Sequence, residues 1–446
     1  MMKLIQTIKN IWKIEDLRKR LGITFLFILI YRFGCYVVLP GINPSDLDAL
    51  KKFTESGLMQ LLDMFSGGAF SQASIFALGI MPYITASIVI QLLGMVMPSF
   101  QKMQREGESG RMKLNQYTRY LTVLILLVQA PAYLINLRVQ VQQAGGHVEM
   151  GFWTMAFLTI VLTAGAMFIM WLGEKITDKG IGNGISMIIL VGIIARLPGA
   201  FTQEFVGRLT NAQGGLIMFL VELIVLFAIT AGAVMLTQGT RKVPVQYAKR
   251  IVGNKQYGGA RQYIPLKVNA ANVMPIIFAQ ALMFIPITLA GFGAQKDASG
   301  FLGGMARTFG DMNGFWYNVV YFLLIVAFTY FYTAITVRPT QMAEEMKKNS
   351  GFIPGIKPGK KTAEYLDSIM SRITLPGSLF LGVVAILPAF ARLFGVNQNF
   401  AQFFGGTSLL ITVGVVLDTL QQIETHLRMH HYDGLMKSGK IKGRAS

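Results

Sequence analysis

The 446-residue chain holds a single cysteine, Cys35, and only four histidines. One thiol can make no internal disulfide, so the fold does not depend on an oxidising compartment. Charge is scarce too: 14% of residues are charged, against about a quarter in soluble domains. Acids are the scarcer sign, 22 against 41 Lys and Arg, for a formal charge of +19. With 53% of its residues apolar, the chain has too little polar surface to cover a water-soluble fold. These shortages exclude a soluble enzyme, a disordered chain and a disulfide scaffold. The basic excess implies anionic partners, and where it lies matters more than its sum.

Catalytic patterns are lacking as well. Gly180, Gly182 and Gly184 in DKGIGNGIS resemble part of a dinucleotide loop, but no strand precedes them and an apolar run follows. They read as a tight entry into a helix. PGKKTAE (358–364) lacks the upstream glycine of a phosphate loop. His426 and His430 have a metal-compatible i, i+4 spacing, but no third ligand converges, so they read as a solvated helix end. Among the ionisable residues inside the apolar runs are Arg32, Glu222 and Asp418. Arg32 and Asp418 sit near the ends of theirs and can snorkel, whereas Glu222 has no evident role. No cofactor or metal is implied.

What the chain has is apolar length. Runs near the roughly 20 residues that cross a bilayer fall at 21–40, 73–97, 118–137, 152–172, 184–200, 215–237, 270–293, 316–337, 373–391 and 404–424. Segments before the first run and after every even-numbered one carry 32 Lys and Arg, and the opposite segments carry eight. That bias puts both termini in the cytoplasm, as an even number of spans requires. No cleavable leader is evident, because 21–31 runs on through Arg32 to Pro40 without a small-residue cleavage site. Ahead of it, Leu4, Ile5, Ile8, Ile11 and Trp12 share one helical face, as in a helix lying on an anionic leaflet. Ten spans divide into halves of five, 1–200 and 201–446. An odd number per half makes the second enter from the opposite side, as in inverted repeats.

Between the first two runs, GLMQLLDMFSGGAFSQ (57–72) is apolar, too short to cross and broken at Gly67–Gly68. It is expected to be a re-entrant half-helix lining a cavity, since irregular backbone at membrane depth survives only inside protein or against water. Between 238 and 269 lie seven basic residues and no acid, with Gly253–Asn254 midway among Val243, Val245, Tyr247, Tyr257 and Tyr263. That pattern predicts a projecting β-hairpin. The segment 338–372 is a second large loop on the same side.

SIFALGIMPYITASIVIQLL, EGESGR, GIGNGIS, PLKVN, PGIKPGKKTAEYLD and FGGTSLLI, in register along nearly the whole chain, resemble the SecY family, the channel subunits of the bacterial protein translocase. The resemblance implies an all-α polytopic membrane protein: ten spans in two inverted halves around an hourglass pore. It would be a passive protein-conducting channel, not an enzyme, passing unfolded chains across the bacterial inner membrane and releasing apolar segments sideways into lipid. The resemblance implies a constriction ring of Ile80, Ile84, Ile189, Ile277 and Ile411, whose branched alkyl groups would resist ion leak by dewetting. It implies a plug at about 58–70, with Leu62, Asp63, Phe65, Ser66, Gly67 and Gly68. Thr85, Gln129 and Asn269 would form a polar cluster at a lateral gate, and Lys249, Arg250, Lys255 and Lys357 would dock a ribosome or a SecA motor. SecE- and SecG-like subunits, signal sequences, nascent polypeptides and membrane lipids are the other implied partners. The alternative is a ten-helix secondary transporter of a small solute, which would need convergent polar groups at mid-membrane. An intramembrane enzyme lacks any catalytic constellation.

Overall fold

The computed structural model describes residues 14–42, 63–143, 151–210, 215–247, 250–252, 255–257, 261–271, 273–280, 282–283 and 314–437. The amphipathic stretch 4–13, Leu62, Lys249 and half of the seventh apolar run lie outside the described residues. Among these residues, seven helices are long and apolar enough to cross a membrane, and an eighth if a bent pair counts as one span. They account for the second to sixth and eighth to tenth runs. Helix Glu15–Gly34 occupies the first run, and its opening turns carry Glu15, Asp16, Arg18, Lys19 and Arg20 ahead of the apolar stretch. The seventh run is helical from residue 274.

Several boundaries differ from the apolar runs. The first helix stops at Gly34, and Val38 pairs instead with Ser74 in an isolated β-bridge. The second helix starts only at Met81, with a proline in its first turn. Its 16 residues rise about 24 Å, short of a hydrocarbon core of about 30 Å. The helix breaks at Met97, held extended (ψ 122°) by the following Pro98. Elsewhere helices outrun their apolar cores: Glu108–Gln143, Phe152–Lys179, Gly184–Thr210 and Lys360–Leu393 all extend past them. The last absorbs part of the loop expected at 338–372, which also holds helix Pro339–Lys348.

The chain divides into two compact units, Met1–Thr202 with Val415–Ser446, and Gln203–Gly414. In the first, helices Glu108–Gln143 and Phe152–Lys179 pack together and enclose a core of Leu39, Phe70, Ala130, Tyr133, Leu134, Leu137, Leu158 and Leu162. The end of helix Gly406–Lys437 joins this unit through Gln422, whose Oε1 accepts from the Gly182 amide at 2.9 Å.

In the second unit, helix Phe315–Thr336 buries Tyr317, Tyr321, Ile325, Thr329 and Thr333, a stripe of i, i+4 spacing, and packs on Lys360–Leu393. The basic stretch forms the expected hairpin. β1 (Thr240–Tyr247) pairs antiparallel with β4 (Arg261–Lys267), and β2 (Arg250–Val252) with β3 (Lys255–Tyr257) nearer the tip. β5 (Gly351–Phe352) adds a third strand on the free edge of β1.

Glu222 finds its role in this unit. The Arg208 guanidinium donates to Glu204 Oε1 (2.8 Å), Glu222 Oε1 (2.5 Å) and the Gly395 carbonyl (3.0 Å). Glu204 Oε2 accepts from the Asn397 amide at 2.9 Å, and all three charged side chains are buried. One cation thus ties two helices and the 395–397 turn together. Arg208→Met should leave two buried carboxylates without their shared cation and destabilise the protein by about 3–5 kcal/mol. Thermal unfolding in detergent, with Arg208→Lys retaining most of the stability, checks this.

Candidate functional site

The segment 63–70 is one helical turn followed by tight turns, not a half-helix along its described length. Gly67 and Gly68 hold φ of +67° and +90°, which only glycine adopts freely. Its polar groups are met one by one. Asp63 Oδ1 accepts from the Ser71 amide at 2.7 Å, and the Asp63 carbonyl accepts from Gly68 N (2.8 Å) and Ser66 Oγ (3.1 Å). The other carboxylate oxygen forms an ion pair with Arg196 of helix Gly184–Thr210. Tyr31 Oη donates to the Ser66 carbonyl (3.1 Å), Arg32 Nη1 to the Gly67 carbonyl (2.8 Å) and Tyr133 Oη to the Phe70 carbonyl (3.0 Å). Arg32 therefore reaches the segment rather than simply snorkelling. Asp63, Phe65, Ser66 and Phe70 are buried, while Leu62 lies outside the described residues. Gly67 abuts Gly192: a Cβ on either would come within 3.3 Å of the other's backbone.

Three of the five ring isoleucines stand in the first unit. Ile80 caps helix Met81–Val96, Ile84 follows one turn on, its amide donating to the Ile80 carbonyl at 3.1 Å, and Ile189 lies on helix Gly184–Thr210; all three are buried. In the second unit Ile411 is buried and Ile277 half-buried. Of the gate residues, Thr85 and Gln129 stand half-buried on two helices that pack together, and Thr85 Oγ1 donates to the Met81 carbonyl at 3.1 Å. Asn269, buried, follows β4 in the second unit.

The bases of the two loops expected to dock a partner share one core, which sequence reasoning kept apart. Val243, Val245, Leu266, Met346, Ile353, Leu366 and Met370 form a single core beneath the three-stranded sheet. Exposed Lys357 leaves that core four residues after Ile353, and its carbonyl accepts from Thr362 Oγ1 at 3.0 Å. Arg250 and Lys255 stand on β2 and β3; Lys249 lies outside the described residues.

Sequence reasoning also missed a polar cavity of about 420 Å³ in the first unit, lined by Tyr83, Asn115, Arg119, Glu174, Asp178 and Asn183 among others. Arg119 spans it with a two-pronged bond to Glu174 (Nε–Oε1 3.2 Å, Nη2–Oε2 2.5 Å). The partners are 55 positions apart, which no local spacing reveals.

Gly192 has ordinary helical geometry, so a larger side chain there strains the 63–70 contact and little else. Gly192→Val should displace the segment and speed proteolytic cleavage near Gly67–Gly68, with unchanged helix content by circular dichroism as the control.

Comparison with known proteins agrees with this architecture. The chain is 43% identical over 435 residues to the protein translocase subunit SecY of Streptomyces scabiei, covering 96% of this chain and 98% of that one. A solved structure described as showing that the SecY plug domain stabilises the closed state of the translocation channel superposes with a TM-score of 0.59 at 19% identity, covering 92% of each chain. Sec61 from a canine ribosome–channel complex superposes at 0.53 and 18%, again over 92% of each. The SecY family model matches residues 74–420, and the chain belongs to the SecY family.

Proposed function

We infer that this chain is the channel-forming subunit of a protein translocase, passing unfolded polypeptides through the membrane and releasing apolar segments into lipid. The observation that carries the mechanism is the segment 63–70. It is buried, unwound backbone, held by side chains that can let go singly, as suits a plug that must leave and return. A small-solute transporter would instead need convergent polar groups at mid-membrane, and family membership disfavours it. The protein is a multi-pass membrane protein; its likeness to bacterial translocase subunits supports a bacterial inner membrane, and the charge bias supports cytoplasmic termini.

In this reading Ile80, Ile84, Ile189, Ile277 and Ile411 form the constriction. A narrow alkyl collar sheds water and gives a passing chain no fixed hydrogen-bond partner. Thr85, Gln129 and Asn269 mark the lateral gate. Polar contacts between membrane helices are worth about 0.6 kcal/mol each, so such a cluster is a weak latch. An apolar signal of about ten leucines gains roughly 5 kcal/mol in lipid. Moving a gate from 1:99 to 99:1 takes about 5.5 kcal/mol, so the substrate comes close to opening the gate itself.

The hairpin and the Lys357 turn form the cytoplasmic docking face for a ribosome or a SecA motor, with SecE- and SecG-like subunits completing the complex. Their shared core supports this reading, because it presents both loops to one partner. Lysine acts there as a point charge rather than a two-pronged ligand.

Two experiments test these assignments. Ile84→Ser with Ile277→Ser should wet the collar and raise the resting ion conductance of the reconstituted channel; parental conductance would remove the ring from these positions. Lys249→Glu with Arg250→Glu should weaken ribosome binding and flatten its salt dependence, by roughly 0.9 or less in log–log slope for each phosphate no longer engaged. An unchanged slope across a salt titration would take the hairpin out of docking.

A further inference from the structure

We propose that Asp63 and Arg196 form a charge latch that holds segment 63–70 in the resting channel and sets how hydrophobic a signal segment must be to release it. The proposal rests on the reading of 63–70 as the plug. Arg196 lies one helical turn beyond Gly192, so one face of helix Gly184–Thr210 presents a slot for Gly67 and, beside it, a cation for Asp63. The Asp63 side chain is 1% exposed and that of Arg196 29%, so the acid is sealed and the base reaches toward water.

The other tethers differ in kind. Tyr31, Arg32 and Tyr133 all bond backbone carbonyls of the segment, and such bonds leave no buried charge behind when they break. Asp63 is the only ionised side chain of 63–70. A buried ion pair is asymmetric: while both partners stay, it contributes little net stability, but removal of one leaves a charge that the interior rejects. The latch therefore holds while the segment is seated and yields once water reaches the pair. Release thus becomes a threshold that a signal segment must exceed.

The chain carries its own reporter. Cys35 is its sole cysteine, is 2% exposed and donates from Sγ to the Ser66 carbonyl at 3.8 Å, so it lies directly against the segment. The test compares the assembled translocase in proteoliposomes as parent, Arg196→Met, Arg196→Lys, Asp63→Asn with Arg196→Met, and a deletion of 63–70. It reads Cys35 labelling by a membrane-impermeant maleimide, resting ion conductance and export of a weakly hydrophobic signal. Arg196→Met should label at least about tenfold faster than the parent and accept the weak signal, because the lone Asp63 drives the segment out. Arg196→Lys should stay within about twofold of the parent, and the double variant, which loses the latch but leaves no unpaired buried charge, should label at a rate between those of the parent and Arg196→Met.

Parental labelling by Arg196→Met, alongside fast labelling and conductance by the deletion, overturns the latch and leaves the plug reading standing. Labelling by the double variant as fast as by Arg196→Met also overturns it, since the loss would then follow disrupted packing and not charge, and so does labelling at the parental rate, since the pair would then hold nothing. A deletion that conducts no more than the parent overturns the plug reading, and the latch with it.

Discussion

Backbone that leaves the helix inside a membrane has to find every hydrogen bond within the protein, because lipid supplies none. The stretch 63–80 meets that demand, and much of the first unit is arranged around it. The amides of Gly67, Gly68, Ala69, Ser74, Ala77 and Gly79 close short turns on carbonyls within the stretch. Ile75 donates to the Val37 carbonyl and Leu39 to the Ala73 carbonyl, both at 2.9 Å, which fixes the tail of the first span alongside. Tyr31, Arg32 and Tyr133 add donors to the Ser66, Gly67 and Phe70 carbonyls. Each of these side chains belongs to a membrane helix, so satisfying the backbone and anchoring the segment are one requirement.

Much of this was legible in the sequence, and the exceptions have identifiable causes. Apolar length located the spans, and Gly253–Asn254 among β-branched and aromatic residues located the hairpin. The stretch 73–80 (ASIFALGI) misled because an apolar run has the same composition as a helix or as buried turns. The structure breaks it at Ala73 (φ +44°) and Gly79 (φ +56°), neither of which composition marks. β5 is two residues long and takes its place from the edge of β1, so nothing local announced that the two large loops share a core. The pairing of Arg208 with Glu204 is visible as an i, i+4 spacing, but its bond to the 395–397 turn is not. The candidate site follows the same pattern. Motifs named Ile80, Ile84, Ile189 and Asp63 as candidates, while Arg196 was missed because its partner lies 133 positions away.

The same pairs sharpen the charge argument for orientation. Eight basic residues count toward the side where the positive-inside bias allows few, and two of them are Arg196 and Arg208. Arg196 is paired with Asp63, and Arg208 is enclosed by Glu204 and Glu222. Neither is a loop charge, and the rule concerns loop charges near the ends of spans. With both set aside, the contrast with the 32 basic residues opposite grows. Arg196 and Arg208 are thus not departures from the bias. Each is kept there by an acid that would otherwise be buried alone, at a cost of several kcal/mol that outweighs the roughly 0–1 kcal/mol of a surface pair. In a chain with so few acids, where Asp63, Glu204 and Glu222 sit determines where those arginines can be.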